Sequence, residues 1–281
     1  MRIARGWALL LLGIPAVFLF AFFVVPFCIL FLDSLQNKEG LWTFENYTKA
    51  LGEIYYWETL LLTFKLSLFV TVATFLIGYP VAYYIVRNVR SRLLRSLLYI
   101  VVVTPLFTSN IVRAFGWMVM LGRRGLVNDT LLATGATDRP ISMLYGQSSI
   151  VIGLTYIMAP FMVLTVASVL QNIDRSLDEA ARDLGAGAWS TFWRVTFPLS
   201  RPGVIAGALI VFTLSVSAYV TPSILSGGRQ NVTSMLIFQQ YGALLNYEFG
   251  AALSVVLLFT TLVLVGAFVI TLDRGRRAAL G

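Results

Sequence analysis

Long apolar runs alternate with short polar segments along the chain. Six runs reach the roughly 20 residues that a helix needs to cross about 30 Å of hydrocarbon. They cover 7–32, 59–86, 96–121, 148–170, 203–225 and 250–272. Lys65 interrupts the second and Arg113 the third, and away from the ends none of the six holds an Asp or Glu. A helix in lipid satisfies its own backbone hydrogen bonds, so each run predicts a helical span and the chain an all-α integral membrane protein. Arg2 and Arg5 precede the first run as they would a secretory signal. That run is about twice the usual 7–15 residues, and no Ala-x-Ala site follows, so it reads as a retained span.

Basic residues set the expected orientation. With the N-terminus inside, the inner segments 1–6, 87–95, 171–202 and 273–281 hold 13 Lys and Arg, and the outer ones hold 6. Both termini are therefore expected in the cytoplasm. The outer segment 33–57 carries an aromatic cluster (Trp42, Phe44, Tyr47, Tyr55, Tyr56, Trp57) suited to the interface. With no internal repeat or low-complexity linker, 1–281 is expected to form one membrane domain.

Composition narrows the chemistry. Apolar residues make up 58% and charged residues 12%, against about 25% charged in soluble domains. The net charge of +8 sits in short loops, so it points to membrane topology and away from nucleic acid. The absence of histidine removes His-based zinc sites, Ser-His-Asp triads and a histidine proton relay. Cys28, the one cysteine, lies in an apolar run. No metal or cofactor site is expected. The lysines are Lys38, Lys49 and Lys65, and none follows a glycine. The chain therefore lacks a phosphate-binding loop of the Gly-x4-Gly-Lys kind, and any ATP must be bound by a partner.

The inner segment 172–202 is the most informative. Ser176-x-x-Glu179 has capping-box spacing, Asp178 and Glu179 suit a helix N-terminus, and Gly185 suits a left-handed stop. A short helix is expected over 177–184. A second, over 188–195 with Trp189, Phe192 and Trp193, is expected to end at Pro198, with Ser200 capping the fifth span. Two short helices joined by glycine would form a knob beneath the membrane.

Glu179-Ala180-Ala181, three residues, Gly185, nine residues, Val195-x-Phe197-Pro198 resembles the signature loop of permease subunits of binding-protein-dependent ABC importers. Val195 stands for Ile and Phe197 for Leu in that pattern. The resemblance implies a type I importer permease with six spans and a cytoplasmic coupling helix, which inserts into a socket on the ATPase. It implies that Glu179, Ala180, Ala181, Asp183 and Gly185 do the coupling. It also implies two ATPase subunits, a second related permease and an extracytoplasmic solute-binding protein as partners. Further stretches resemble the spermidine/putrescine permeases: Phe44-Glu45-Asn46-Tyr47, Gly78-Tyr79-Pro80, 104–113 and Tyr247–Ala252.

The residues give a less direct reading of the solute. A polyamine site should offer carboxylates and aromatic faces. The spans offer Lys65 and Arg113, which either snorkel to the outer interface or line a cavity. In a cavity they would suit a carboxylate-bearing amine, of amino-acid or opine type. A polyamine would still pass if the partner permease supplies carboxylates or the binding protein sets specificity. Asn110, Arg113, Trp117, Tyr156, Ser215 and Tyr219 are the pathway candidates, with Ser215, Tyr219 and Pro222 expected on one helical stripe. A secondary transporter is the rival from another class, but it would commonly show intramembrane acids and inverted repeats, and neither is present.

Overall fold

The computed structural model describes the backbone of residues 5–278 and the side chains of 11–271. Of the inner basic residues, Arg2 lies outside the described residues, and Arg5, Arg274, Arg276 and Arg277 are described in backbone only. Among those described the chain is all-α, with one isolated bridge between Gln36 and Trp42. Its helices are α1 (Arg5–Leu19), α2 (Val25–Asp33), α3 (Glu45–Gly52), α4 (Ile54–Tyr83), α5 (Arg92–Val103), α6 (Asn110–Leu121) and α7 (Leu126–Ala133). They continue with α8 (Gln147–Gln171), α9 (Arg175–Asp183), α10 (Ala188–Thr191), α11 (Phe197–Val216), α12 (Val220–Ser226), α13 (Thr233–Gly242) and α14 (Tyr247–Ala278). Three π-turns, Phe20–Val24, Tyr84–Asn88 and Phe192–Thr196, lie between or at the ends of these helices.

Five stretches are long and apolar enough to cross a membrane: Leu11–Asp33, Ile54–Asn88, Gln147–Gln171, Ala188–Val216 and Tyr247–Thr271. The third predicted run is not one straight helix. Pro105 lacks the N–H that would continue α5, and its ring opposes the preceding turn. The chain tightens into a 3₁₀ turn at Thr104–Phe107, runs extended through Thr108 and Ser109, and leaves as α6 bent 99° away. The fifth run is also corrected. It starts much earlier, at Ala188, and stops at Val216. Pro222 sits in the first turn of α12, where a missing N–H costs nothing, and the break falls at 217–219. Ser215, Tyr219 and Pro222 therefore share no continuous helical stripe.

The chain divides into two compact units, 59–235 and 1–58 with 236–281. In the first, α8 packs along α11, with α12 against α6 and α8. Leu66, Val70, Ile150, Leu154, Met162, Val166, Val211 and Leu225 form its core. Lipid tails are as apolar as leucine, so small residues, which let backbones approach, decide which helices meet. A Cβ at Gly203 would lie 2.9 Å from the Thr165 carbonyl, and one at Gly207 2.5 Å from Thr165 Oγ1. Polar residues of α4 are buried too. The hydroxyls of Thr63, Ser67 and Thr71 donate to the carbonyls four residues back, at 2.7, 2.8 and 2.8 Å. They can enter the core because each carries its own acceptor.

In the second unit, α14 packs on α2 and α3. Phe249 is buried, with Tyr56 edge-on at 5.3 Å and Lys49 Nζ 4.9 Å from its ring centre. The outer segment is fastened locally. Tyr47 Oη meets Ser34 Oγ at 2.6 Å, and Asn46 Nδ2 donates to the Gln36 carbonyl at 2.8 Å.

Candidate functional site

α9 begins at Arg175, two residues before the predicted start at 177. Asp174 is the N-cap, and its Oδ1 accepts from the Ser176 N–H at 2.9 Å. That backbone bond, helped by the Ser176 hydroxyl, holds the Asp174 carboxyl below the ordinary aspartate range. Asp174 wins over Ser176 because an ionised acceptor at an N-cap is stronger than a neutral one. The C-terminal end is a Schellman motif. Gly185 stands at φ +82°, its N–H donates to the Arg182 carbonyl at 2.8 Å, and the Ala186 N–H donates to the Ala181 carbonyl at 3.0 Å.

The second predicted helix is not a separate body. α10 passes through the π-turn 192–196 directly into α11, so Pro198 does not end it. Phe197 N–H reaches back to the Phe192 carbonyl, and this wider turn takes up the proline at the start of α11. Ser200 therefore caps nothing. Its hydroxyl donates to the Phe197 carbonyl at 2.9 Å and meets Tyr79 Oη at 2.8 Å, fastening α11 to α4.

Glu179, Ala180, Asp183 and Gly185 are exposed, and Ala181 is half-buried. Leu184 is 89% exposed and Trp189 74%, so the knob presents apolar side chains to its surroundings. Its other side is anchored by Asp178. One carboxylate oxygen lies 3.4 Å from Arg87 Nη1, and the other accepts from Thr196 Oγ1 at 3.0 Å. Arg175 Nη2 adds a bond to the Val86 carbonyl at 3.1 Å. The knob is thus tied to both the π-turn ending α4 and the π-turn feeding α11. In the sequence Arg87 is one inner positive charge among several and Asp178 a helix-dipole residue. Nothing local signals a pair 91 residues apart.

Asn110, Arg113 and Trp117 recur at i, i+3 and i+7 on one face of α6. Asn110 Oδ1 accepts from Arg113 Nη2. Arg113 Nε and Nη1 are buried with no hydrogen-bond partner. Trp117 stands edge-on to Tyr156 at 5.6 Å. Both line a cavity of about 490 Å³ between α4, α5, α6 and α8, otherwise almost wholly apolar. Four of the six pathway candidates are thus neighbours on α6 and α8. Ser215 is buried in α11, and Tyr219 is half-buried at the break before α12. Lys65 is exposed on α4, its Nζ 6.0 Å from the Phe69 ring centre, and does not line this cavity.

The profile of a family described as "Binding-protein-dependent transport system inner membrane component" matches residues 74–274. The spermidine/putrescine transport system permease protein PotB of Escherichia coli (strain K12) is 32% identical over 252 residues, covering 90% of this chain and 89% of that one. Its namesake in Haemophilus influenzae is 32% identical over 243 residues, covering 83% of each. Among solved structures, a subunit of a bacterial ABC transporter that imports the acidic polysaccharide alginate superposes with a TM-score of 0.74 at 19% identity, covering 96% of both chains. That likeness is one of fold.

Proposed function

The chain belongs to the inner membrane components of binding-protein-dependent transport systems, and we propose that its complex imports a polyamine of the spermidine and putrescine class by alternating access. Membership makes it an ABC importer permease, a multi-pass transport subunit of the inner membrane and not an enzyme. It also implies ATPase and binding-protein partners. In our reading the whole chain acts as one permease domain, both termini lie in the cytoplasm, and a second related permease pairs with it. Two ATPase subunits bind and hydrolyse the ATP, and this chain needs no cofactor.

The observation that carries the substrate reading is 32% identity over 90% of the chain to a spermidine/putrescine permease. Trp117 and Tyr156 add aromatic faces suited to an alkylammonium. For coupling, the carrying observation is the exposed face of α9 and its tether through Asp178 to two spans. Glu179, Ala180, Ala181, Asp183 and Gly185 would sit in the ATPase groove. Movement of the groove would reach α4 and α11 through the Asp178 contacts.

One observation favours a second solute class. Arg113 Nε and Nη1 are donors without an acceptor, and the cavity lined by Trp117, one turn further along α6, holds no acid. That arrangement fits a carboxylate-bearing amine, of amino-acid or opine type.

The test is binding-protein-stimulated ATPase of the reconstituted complex, across polyamines, amino-acid amines and opine-like carboxylates, for wild type and Gly185→Trp. Stimulation by spermidine or putrescine, lost in an assembled Gly185→Trp complex, is the expected result. Stimulation by carboxylates alone would move the assignment to the second class. An unaffected variant would remove α9 from the coupling role.

A further inference from the structure

A second cavity, of about 520 Å³, opens at the other end of the unit 59–235. Arg123, Ser142, Tyr145 and Arg229 line it, with Leu121 among its apolar walls. α8 starts two residues after Tyr145, and three residues separate its end from the start of α9. At 1.5 Å per residue its 25 residues span roughly 37 Å, about the thickness of a bilayer. The cavity and the knob therefore lie on opposite sides of the membrane. Placing the cavity outside rests on reading α9 as the ATPase-facing element.

This cavity is held open by construction. Asn128 is fully buried, and its side chain ties the two segments that bring in Arg123 and Ser142. It donates to the carbonyls of Gly122 and Ile141 at 2.9 and 3.1 Å and accepts from the Ile141 N–H at 2.8 Å. Tyr145 stands at φ +66°, a conformation that a bulky residue keeps only when its surroundings impose it. Its N–H donates to the Leu225 carbonyl at 3.1 Å, and a Cβ at Gly227 would lie 2.3 Å from its ring. The Arg229 guanidinium lies 5.6 Å from the same ring centre. A guanidinium over an aromatic face still has its edge donors available.

Among the described residues the one ion pair is Arg87–Asp178, so neither Arg123 nor Arg229 is paired with a carboxylate there. Both also run against the inner bias of basic residues. Two guanidiniums lining one cavity, one of them set over the Tyr145 ring, match a carboxylate, which accepts paired N–H bonds in the plane of the fork. They would repel a polyamine, so for the solute proposed above this is not a vestibule. We infer that the pocket of Arg123 and Arg229 is a docking socket for a carboxylate side chain of the solute-binding protein.

The experiment titrates solute-loaded binding protein against the ATPase of the complete complex in nanodiscs, for wild type, Arg123→Glu and Arg229→Glu. The binding-protein concentration for half-stimulation should rise roughly tenfold or more for each, with basal ATPase and assembly unchanged. Ser142→Cys, carrying a thiol-specific photo-crosslinker, keeps both guanidiniums and should capture the binding protein. It serves as the test should the charge reversals fail to assemble. An unshifted half-stimulation concentration, or a crosslinker that captures only lipid, would overturn the socket. So would a wild-type affinity that falls when anionic lipids are replaced by zwitterionic ones while the Arg variants do not respond, because the ligand would then be a lipid phosphate. Loss of stimulation in Gly185→Trp with unshifted Arg variants rejects the socket alone. Unchanged behaviour of all three variants rejects the importer reading beneath it.

Discussion

α8 and the stretch Leu11–Asp33 are both apolar enough to cross a membrane, and Leu11–Asp33 is the more apolar of the two. Yet 61% of the apolar stretch of α8 is buried inside the protein and none of Leu11–Asp33 is. In lipid, apolarity earns a helix no place in the interior. α8 is interior because its partners let it approach: Gly203 and Gly207 on α11 leave room for Thr165, Val169 and Met162. The knob repeats the contrast on a smaller scale, with the Asp178 side chain held by the chain and the Leu184 side chain exposed. Held positions should govern the stability of the subunit. Bare positions should govern what covers it.

The largest expected effect is at Asp178. Its side chain is 17% exposed and that of Arg87 7%. Removing one partner of a buried pair costs roughly 3–5 kcal/mol, because the other charge stays behind unpaired. Arg87 is especially vulnerable, since its Nε and Nη2 are already buried without partners. Asp178→Ala should therefore lower the Tm of the purified complex clearly and free α9 to exchange amide hydrogens. If Asp178→Ala melts like wild type, the knob is not anchored through this pair.

Gly203→Leu comes next. Its new side chain would press on a backbone carbonyl, which cannot rotate away, and overpacking of this kind costs about 1–3 kcal/mol. Gly13→Leu is the matched control, because a Cβ there meets nothing within 4 Å. The comparison holds if the first variant loses thermal stability and the second does not. Equal losses would mean that the first span is packed as tightly as α11.

What was legible beforehand follows the same division. Runs of apolar residues declare their own length, and Gly185 declared a left-handed stop because few other residues tolerate one. The spacing from Glu179 to Pro198 was likewise visible as a pattern. The breaks at 108–109 and 217–219 were not, because hydropathy sums over Pro105 and Pro222 as if they were ordinary apolar residues. The start of α9 was misplaced because Asp174 and Ser176 both make good caps, and only the folded geometry shows which oxygen meets the free N–H. The tether from Asp178 to Arg87 and Thr196 was out of reach, since pairing across a fold has no local period.

The N-cap of α9 gives a smaller effect, and one with a defined sign. The Asp174 carboxyl is depressed by the Ser176 N–H, so its contribution is complete above the unfolded aspartate value of about 3.9. It is lost only as pH falls through the lower folded value. Amide exchange at Ser176 and Leu177, corrected for intrinsic rate, should be flat from neutral to mildly acid pH and accelerate below that. Asp174→Asn keeps the acceptor and should remove the acid step. An acid step that persists in Asp174→Asn would mean that another group titrates.

The smallest effect on folding, and the sharpest test of the comparison, is at Leu184. At 89% exposure its side chain buries almost no apolar surface within the chain, so Leu184→Ala should leave the stability of the isolated subunit within about 0.5 kcal/mol of wild type and its Tm nearly unchanged. A bare leucine beside exposed Trp189, at the end of a helix tied to two spans, nevertheless exposes apolar surface that a partner would cover. Removing it should weaken capture of the ATPase subunit, measured as a faster off-rate from the immobilised complex. The two readouts must separate. If Leu184→Ala destabilises the subunit alone, the knob is packed by its own chain. If neither readout moves, the covered surface lies elsewhere on the knob. A changed off-rate with an unchanged Tm is what a surface built for another protein should give.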